Sequence, residues 1–544
     1  MPTADMVEDR QPQRRADLFK TLRLIDGWGE HGWRLVHGSW RLRGAVLDLD
    51  PREGDADPLA TLWLDRPPAR PGDEADAAAI ADWALERLRR EVIDPGIIRS
   101  RTLDPGPCVR PSTAAGFVGG RFRLRLVIRL PYTGLCCDGT AFARFLRRIE
   151  GFLAGLRPDI SLRRLRRAVA VQEGLRAALP DHGLIAFCAE GSRLARGPEG
   201  GPAAGCAPLR VPRNLRVRID LGALGVHTGL GIRRGITAII GAPYHGKSTL
   251  IQAIAAGRNN HRPGDGREGV VSVDDLVALQ AEEGRPIRDQ DLTPFFSDLP
   301  GGDPRYFRSD RASGATSMAT SLLQALAAGG RTLLIDEDTA AGNFLWMDAG
   351  MRRLLGRDVR GHPLSDQLRA LAAAGVSCVL AVGSATPVLA AADRILHLRS
   401  FQPAETTRRV RRLVPAAPRA GRPFPIPVRA LALGDQMLGD RHFLRVDVAE
   451  AERPCIRRDA GDLVVDLRRS GWILDEDLAR SACIAAAWCL RLTGAGCDLT
   501  EASRRYHRYL TEHGLDGLDP FATTLLVRPP WQLVVSVLER LRLG

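Results

Sequence analysis

Lysine is almost absent from this chain of 544 residues. Lysine and arginine together number 77, and because only Lys20 and Lys247 are lysines, 75 are arginines. The bias, together with abundant alanine, glycine and proline, is typical of a coding genome rather than of one function. Because of this bias, the formal net charge of +13 is weaker evidence for a particular function. The charge is still compatible with an anionic partner such as nucleic acid, a nucleotide or a membrane surface.

Other features that the sequence lacks narrow its class. The ten cysteines form no C-x-x-C pair, so zinc and redox motifs have no support. The first fifteen residues contain no apolar h-region, and we expect no secretory signal and a cytoplasmic protein. The uncharged stretch 371–392 is interrupted by Pro387 and has no aromatic belt. We expect a helix end, a buried strand and a loop there, and no membrane span.

Hydrophobic periodicity divides the chain into five regions. Between residues 209 and 400, strand, glycine loop and helix alternate, which predicts a parallel α/β sheet. The expected regions are an α+β N-terminal domain (1–160), a helical connector and loop (161–208), the α/β core (209–400), a Pro/Arg-rich linker (401–430) and a mainly helical C-terminal domain (431–544).

Arginine clusters outside the core suggest a nucleic-acid surface. The stretch RFRLRLVIRL, residues 121–130, alternates apolar and basic residues and predicts a half-buried strand with a basic outer face. One hypothesis is that RNA or DNA phosphates follow these arginines, and the alternative is a set of solvated faces. The clusters are Arg121, Arg123 and Arg125; Arg163, Arg164, Arg166 and Arg167; and Arg408, Arg409, Arg411 and Arg412.

The stretch GAPYHGKS, residues 241–248, matches the P-loop pattern G-x-x-x-x-G-K-S. An apolar run precedes it and a helical pattern follows, which is the context that a P-loop requires. Backbone amides and the helix N-terminus would bind phosphate, and Ser248 would contact Mg²⁺. The expected nucleotide-binding residues are Gly241, Ala242, Pro243, Tyr244, His245, Gly246, Lys247, Ser248 and Thr249.

Lys247 occupies the lysine position of this motif in a chain that otherwise uses arginine. An ammonium is a compact point charge on a flexible stem, whereas a guanidinium is a bulky planar fork. The tight loop around the β- and γ-phosphates would accommodate the first and exclude the second. We therefore expect Lys247 to stabilise the reacting phosphates.

The stretch RTLLIDEDTA, residues 331–340, is an apolar strand that ends in two carboxylates. Downstream of a P-loop, this pattern predicts a Walker B strand. Asp336 would hold Mg²⁺, and Glu337 would orient or deprotonate the attacking water.

A third motif lies between these two. Ser313 precedes Asp336 by 23 residues and opens a helical stretch. The spacing resembles that of ABC-type ATPases, whose Ser-Gly-Gly-Gln signature contacts the nucleotide of the opposite subunit. The residues at the signature position are Ser313, Gly314, Ala315 and Thr316. An ordinary helix N-cap at Ser313 explains the same pattern, and both interpretations can hold together.

Further stretches resemble one family, the predicted ATPases of the ABC class. In the core, the resemblance rests on GAPYHGKSTLIQAI, RPGDGRE, DLTPFFSDLP, ASGATS and LLIDEDTAAGNF. Elsewhere it rests on LRLIDG, DPLATL, GLIAFCAEGSRLAR and GLDGLDPFATTLLVRPPWQLVVSVLERLR. The resemblance implies an ABC-type α/β P-loop core flanked by N- and C-terminal domains, with ATP and Mg²⁺ as ligands. It also implies that Asp338 and Thr339 lie in the D-loop, which crosses a dimer interface.

The sequence departs from mainstream ABC proteins at several points. Gly383 and Ser384 stand where a switch histidine is expected, so more of the water positioning would fall to Glu337. No aromatic residue directly upstream of the P-loop is available to stack on adenine. Gln280 and Gln290 are candidates for the Q-loop glutamine. Tyr244 and His245 either pack locally or supply part of the missing histidine's polar role, and we favour packing.

Three classes of function remain open. The first is an ATP-hydrolysing homodimer, packed head to tail, that acts on RNA or DNA in one version of the hypothesis. The second is a nucleotide-sensing scaffold with negligible turnover, and the third is a P-loop phosphotransferase. The spacing of the ASGATS stretch favours the first.

Overall fold

The computed structural model describes residues 11–49, 58–104, 106–198, 200–300, 302–418, 420, 422–428, 430–431, 445–457, 462–472, 474–493, 497–519 and 524–541. Residues 1–10, on which most of the secretory prediction rests, lie outside this set. The chain divides into two compact units. The first comprises Met1–Ala170 and Tyr509–Arg528, and the second comprises Val171–Arg508 and Pro529–Gly544.

The first unit is built around an antiparallel sheet with helices. Its strands are β1 (Gly38–Leu42), β2 (Ala45–Leu49), β3 (Leu59–Leu64), β4 (Ser100–Arg101), β5 (Cys108–Val109), β6 (Ala115–Val118), β7 (Arg121–Ile128), β8 (Tyr132–Thr133) and β9 (Cys136–Cys137). Its helices are α1 (Arg15–Leu24), α2 (Glu74–Leu88), α3 (Gly139–Gly155) and most of the length of α4 (Ile160–Ala178). The sheet order is β1-β2-β3-β7-β4, and β6 also pairs with β7.

The strand β7 lacks the basic outer face that its alternating pattern predicted. Arg123 is 4 % exposed, and Arg125 is half-buried. Both donate to the carboxylate of Asp516, at 2.7 and 2.5 Å. The prediction was wrong because the returning segment 509–528 brings a carboxylate against this face. Of the three arginines in this cluster, Arg121 is the exposed one, with its guanidinium 5.2 Å from the ring centroid of Trp63.

The second unit contains the remaining elements. Its strands are β10 (Leu184–Ala189), β11 (Arg216–Asp220), β12 (Val226–Arg233), β13 (Ile236–Ile240), β14 (Asn260–His261), β15 (Val270–Ser272), β16 (Leu276–Leu279), β17 (Ile287–Gln290), β18 (Phe307–Ser309), β19 (Thr332–Asp336), β20 (Ser377–Val382), β21 (Arg394–Arg399), β22 (Gln402–Glu405), β23 (Ala430–Leu431), β24 (Arg445–Asp447), β25 (Cys455–Arg457), β26 (Leu463–Val464) and β27 (Cys497–Asp498). Its helices are α5 (Lys247–Ala256), α6 (Gly314–Ala327), α7 (Gly342–Leu345), α8 (Ala349–Leu355), α9 (Leu364–Ala373), α10 (Thr386–Ala391), α11 (Thr407–Arg411), α12 (Glu476–Thr493), α13 (Leu499–His513, which continues into the first unit) and α14 (Trp531–Leu541).

The central sheet of this unit has the order β16-β19-β20-β13-β21-β22. The first five strands are parallel, and β22 runs antiparallel to β21. All six residues of β20 are buried, as a parallel strand covered on both faces requires. A separate antiparallel sheet has the order β11-β12-β10-β15. The prediction of an α/β core with a parallel sheet is confirmed.

Alternate residues of the central strands enter two hydrophobic layers. Leu333 and Ile335 of β19 belong to the cluster that includes Met318 of α6. Leu334 faces the other way and belongs to the cluster that includes Ile251 of α5. The central sheet is therefore covered on both faces, and the carboxyl ends of its parallel strands meet at one edge.

Two further expectations have different outcomes. The stretch 371–392 contains the end of α9, the buried strand β20 and a loop, as predicted, and it also contains the short helix α10, which was not predicted. Among the described residues, no helix is both long and apolar enough to cross a membrane. The expected linker 401–430 contains ordered contacts in its described part: β22 joins the central sheet, and the buried ring of Phe424 lies 5.6 Å from that of Phe295, although most of its other described residues are exposed or half-buried.

Candidate functional site

The P-loop connects β13 to α5 at the carboxyl edge of the central sheet. Ile240 ends the strand and Lys247 begins the helix, with Gly246 at the N-cap. The first amides of an α-helix have no partner within the helix, and the helix dipole adds positive potential at this end. The loop is therefore suited to bind phosphate oxygens.

Two glycines of the loop have no room for a side chain. A Cβ on Gly241 would lie 2.7 Å from the carbonyl oxygen of Leu398, and one on Gly246 would lie 2.5 Å from the ring of Phe401. Gly246 also has φ of +95°, which L-residues rarely adopt. The spacing of the motif thus follows from close packing against the β21–β22 hairpin.

Lys247 reaches back across the loop. Its Nζ donates to the carbonyl oxygens of Gly241 and Ala242, at 2.9 and 3.3 Å. The ammonium therefore stands at the mouth of the loop, where it could exchange these carbonyls for phosphate oxygens. Ser248 and Thr249 follow in the first turn and are half-buried.

The remaining loop residues divide into exposed and packed positions. Ala242, Pro243 and Tyr244 are exposed, with Tyr244 at 96 % and at φ of +62°. The His245 ring packs on the hairpin, with Nδ1 3.3 Å from the carbonyl oxygen of Leu398. The expectation that these two residues pack locally therefore holds for His245 and fails for Tyr244.

Asp336 and Glu337 lie at the same edge of the sheet as the P-loop. Ile240 of β13 is opposite Val382, and Ala381 is opposite Asp336 on the next strand. Two strand spacings separate β13 from β19, which is about 10 Å. The triphosphate of a nucleoside triphosphate on the P-loop, together with its metal, can span the distance from β13 to Asp336.

The structure brings Gly383 and Ser384 onto the carboxylate of Glu337. The Ser384 amide donates to Oε2 at 3.0 Å, the Gly383 amide donates to the same oxygen, and the Ser384 hydroxyl donates to Oε1. Partial burial raises the pKa of Glu337, but these donors outweigh it and lower the pKa below its usual range. Gly383 and Ser384, which stand where a switch histidine is expected, therefore favour the ionised form of Glu337.

The signature residues lie near the segment that follows the D-loop, since a Cβ on Gly314 would be 3.3 Å from the Cβ of Ala341. The Ser313 side chain caps α6 by accepting from the Thr316 amide at 3.3 Å, so the N-cap prediction is confirmed. Ser313 is exposed and Gly314 half-exposed, whereas Ala315 and Thr316 are both 7 % exposed. Of the four residues expected to contact a second subunit, the structure leaves Ser313 and Gly314 accessible.

The D-loop continues the edge beyond Glu337. Asp338 and Thr339 are exposed, and the Asp338 amide donates to Asp336 at 3.3 Å. The Thr339 carbonyl accepts from the Ala281 amide at 2.9 Å. Gln280, the residue before Ala281, follows β16 directly and so reaches the same sheet edge, whereas Gln290 is buried at the end of β17. Gln280 is therefore the better positioned of the two Q-loop candidates.

The donor set at this edge fits Mg²⁺. The Ser248 hydroxyl and the Asp336 carboxylate are hard oxygen ligands, and Mg²⁺ is usually bound by one or two carboxylates together with phosphates and water. Among the described residues, no group of three or more His, Cys, Asp and Glu side chains could hold a metal.

Together these features define a P-loop nucleotide-binding site. Residues 159–423 match the family model ABC_ATPase, which describes a P-loop domain. Uncharacterized protein MJ1628 of Methanocaldococcus jannaschii is 34% identical over 187 residues. That match covers 32% of this chain and 41% of the relative, which is less than half of the relative's length.

Two solved structures also match. One is the ADP conformation of MJ1267, an ATP-binding cassette of an ABC transporter, with 12% identity and a TM-score of 0.26, covering 42% of this chain and 94% of that one. The other is cbiO1 from Clostridium perfringens, part of the ABC transporter complex cbiONQ, with 12% identity and a TM-score of 0.24, covering 42% of this chain and 90% of that one.

Proposed function

We propose that this protein binds ATP with Mg²⁺ and hydrolyses it to ADP and phosphate. The observation that supports this most is the shared sheet edge of Lys247 and Glu337. The phosphates would lie over the P-loop amides, with the Lys247 ammonium on the β- and γ-phosphates. Ser248 and Asp336 would hold Mg²⁺, which supplies charge neutralisation on the phosphate oxygens.

Glu337 would hold the attacking water. Its carboxylate is ionised at neutral pH, because its hydrogen bonds favour the charged form. A general base must lie within hydrogen-bond reach of the proton that it accepts, and its orientation must be fixed by a further group. Gly383 and Ser384 supply that orientation, which is why hydrolysis does not require a switch histidine here.

The Glu337→Gln variant tests this assignment. A glutamine keeps the shape of the side chain but cannot accept the proton. We expect Mg·ATP affinity to be retained and phosphate release to fall at least 100-fold, as removal of a general base typically gives. Phosphate release by Glu337→Gln at the wild-type rate would contradict the assignment, and ADP formation only with an added acceptor would favour a phosphotransferase.

We further propose that two copies pack head to tail, so that Ser313 and Gly314 of one copy contact the nucleotide of the other. Both residues are accessible, and the neighbouring D-loop residue Thr339 is exposed. ATP should therefore produce a dimer in the Glu337→Gln background, where it is not consumed. Sedimentation with and without Mg·ATP measures this directly.

Ser313→Asp separates the dimer contact from helix capping. Aspartate is as good an N-cap as serine, but it places a negative charge opposite the γ-phosphate. We expect unchanged thermal stability and no ATP-dependent dimer. A Ser313→Asp variant that dimerises as the parent does would overturn the in-trans role of the signature.

Nucleic acid is a second candidate partner, and the exposed arginines of α4 are the observation that favours it. Arg163, Arg164 and Arg167 are exposed along this helix, whereas Arg166 is paired with Asp76 at 2.6 Å. If the three free arginines bind phosphates, RNA affinity should fall with rising salt, and their replacement by glutamine should flatten that slope. Filter binding across a salt series measures it, and an affinity that is absent or independent of salt would exclude this role.

A further inference from the structure

The segment 281–285, which follows β16, links the D-loop to α6. The Ala281 amide donates to the carbonyl oxygen of Thr339 at 2.9 Å. The next amide, that of Glu282, donates to the hydroxyl oxygen of Ser317 at 2.9 Å. Two adjacent peptide amides are thus hydrogen-bonded to the D-loop and to the helix that the signature opens.

The same segment fixes the residue before the signature. The Gly284 amide donates to the carbonyl oxygen of Ala312 at 2.8 Å, and the Ala312 amide donates to the carbonyl oxygen of Arg285 at 2.9 Å. Ala312 is 3 % exposed, so water has little access to this pairing. The position of Ser313, the next residue, therefore depends on the segment 281–285.

Ser317 is the side chain through which the segment reaches the first turn of α6. It is fully buried, and its hydroxyl donates to the carbonyl oxygen of Gly314 at 2.9 Å while it accepts from the Glu282 amide. A buried amide that loses its acceptor is left unsatisfied, which costs more than an average hydrogen bond contributes. Thr320 of the same helix is equally buried, but its hydroxyl has no hydrogen-bond partner among the described residues.

A buried ion network holds the carboxylate of Glu282. Oε1 accepts from the Arg285 guanidinium at 3.2 Å and from the Ser321 hydroxyl at 3.0 Å, and Oε2 accepts from Arg540 of α14. The residues Glu282, Arg285 and Arg540 are 7 %, 8 % and 7 % exposed. Burial raises the pKa of Glu282, but Arg540 and Arg285 lower it overall, so the carboxylate is ionised.

The helix α14 makes a second contact with the same network. Glu539 accepts from the side-chain amide of Gln324 at 3.0 Å, and the oxygen of that amide accepts from Arg285 at 2.6 Å. Arg540 is fixed at its other end, because its Nε donates to the carbonyl oxygen of Asp466 at 2.8 Å. A guanidinium that is held by acceptors on both sides has little freedom to reorient. A shift of α14 would therefore move Glu282.

We propose that Glu282 and Ser317 are positioning residues for the half-site that one copy offers to the nucleotide of the other, and that α14 holds them in place. The inference rests on the proposed head-to-tail dimer. Both residues act through the backbone of the signature and the D-loop, and neither contacts the nucleotide. The helix α14 thus controls whether a copy can complete the site of its partner, whereas ATP binding to its own P-loop is independent of α14.

Ser317→Ala tests the contact with α6, and Thr320→Val, which removes a buried hydroxyl without a described partner from the same helix, is the matched control. We expect Ser317→Ala to bind Mg·ATP with wild-type affinity, while kcat falls about tenfold. In the Glu337→Gln background, the dissociation constant of the ATP-dependent dimer should rise about tenfold. Thr320→Val should match the wild type in all three measurements.

Two replacements of Arg540 test the contact with α14. Arg540→Met removes the charge on Glu282, and Arg540→Lys keeps it. We expect Arg540→Met to lose the ATP-dependent dimer and most of kcat, and we expect Arg540→Lys to restore both in large part. Mg·ATP binding at the wild-type affinity shows for each variant that the P-loop and its surroundings are folded.

The outcomes separate this inference from the proposed function. A lower thermal midpoint in Ser317→Ala and Arg540→Met, with unchanged kcat and dimerisation, would assign both residues to stability and overturn the inference. An equal fall of kcat in Thr320→Val would also overturn it. A wild type that binds Mg·ATP but neither hydrolyses it nor dimerises would instead overturn the proposed function.

Discussion

Ser384→Ala probes the orientation of Glu337. The change removes one of three donors on the carboxylate and leaves the two backbone amides of Gly383 and Ser384. A hydrogen bond to a charged group contributes about 1.5–3 kcal/mol. Because Glu337 is only half-buried and keeps two donors, the lower end applies, and about 1.5 kcal/mol corresponds to about tenfold in rate.

The assay is steady-state ATP hydrolysis as a function of pH. We expect kcat for Ser384→Ala to fall about tenfold with little change in KM for ATP. The lost donor stabilised the ionised carboxylate, so the pKa of Glu337 should rise and the acid limb of the profile should move to higher pH. Ser297→Ala, which removes an exposed hydroxyl outside the site, is the control.

Three results would refute this reasoning. An unchanged kcat with an unchanged acid limb would mean that the Ser384 contact has no role in turnover. A higher kcat would mean that Ser384 restrains Glu337 in a non-productive position. A lower thermal midpoint without a kinetic effect would assign the hydroxyl to stability alone.

Three further predictions concern buried charges and are measured by chemical denaturation. Arg540→Met leaves the buried carboxylate of Glu282 without its Arg540 partner and should cost about 3 kcal/mol of unfolding free energy; a loss below about 1 kcal/mol would argue against it. Asp516→Asn removes the carboxylate paired with the buried Arg123 and should cost about 2 kcal/mol of unfolding free energy; an unchanged unfolding free energy would contradict this expectation. Burial raises the pKa of Asp265, but hydrogen bonds and charge pairing with His261 and Arg196 lower it overall. The ionised carboxylate therefore stabilises the fold above the ordinary aspartate range, and this stabilisation is lost as pH falls through the lowered pKa. Asp265→Asn should have a lower unfolding free energy at neutral pH and a smaller loss of stability in acid, and an unchanged pH dependence would contradict this expectation.

The parts of the site that are local in sequence could be predicted. The P-loop and the strand that ends in Asp336 each lie within ten residues, and the alternation of strand and helix between them indicates the parallel sheet. The helix cap at Ser313 is predictable for the same reason, since its partner Thr316 is three residues away.

Contacts between distant residues could not be predicted. The absence of a switch histidine is visible in the sequence, but the Ser384–Glu337 contact joins residues 47 positions apart. Asp516 covers Arg123 from 393 positions away and removes the predicted basic face.

Phosphate release from Mg·ATP by the wild type and by Lys247→Ala, measured side by side, tests the central claim most directly. The ammonium of Lys247 lies at the mouth of the loop, and its removal would take away the side-chain cation that we propose contacts the β- and γ-phosphates. We expect Mg²⁺-dependent release by the wild type and its loss in Lys247→Ala. Equal release by the two proteins, or none by the wild type in the presence of Mg²⁺, would contradict hydrolysis at this P-loop.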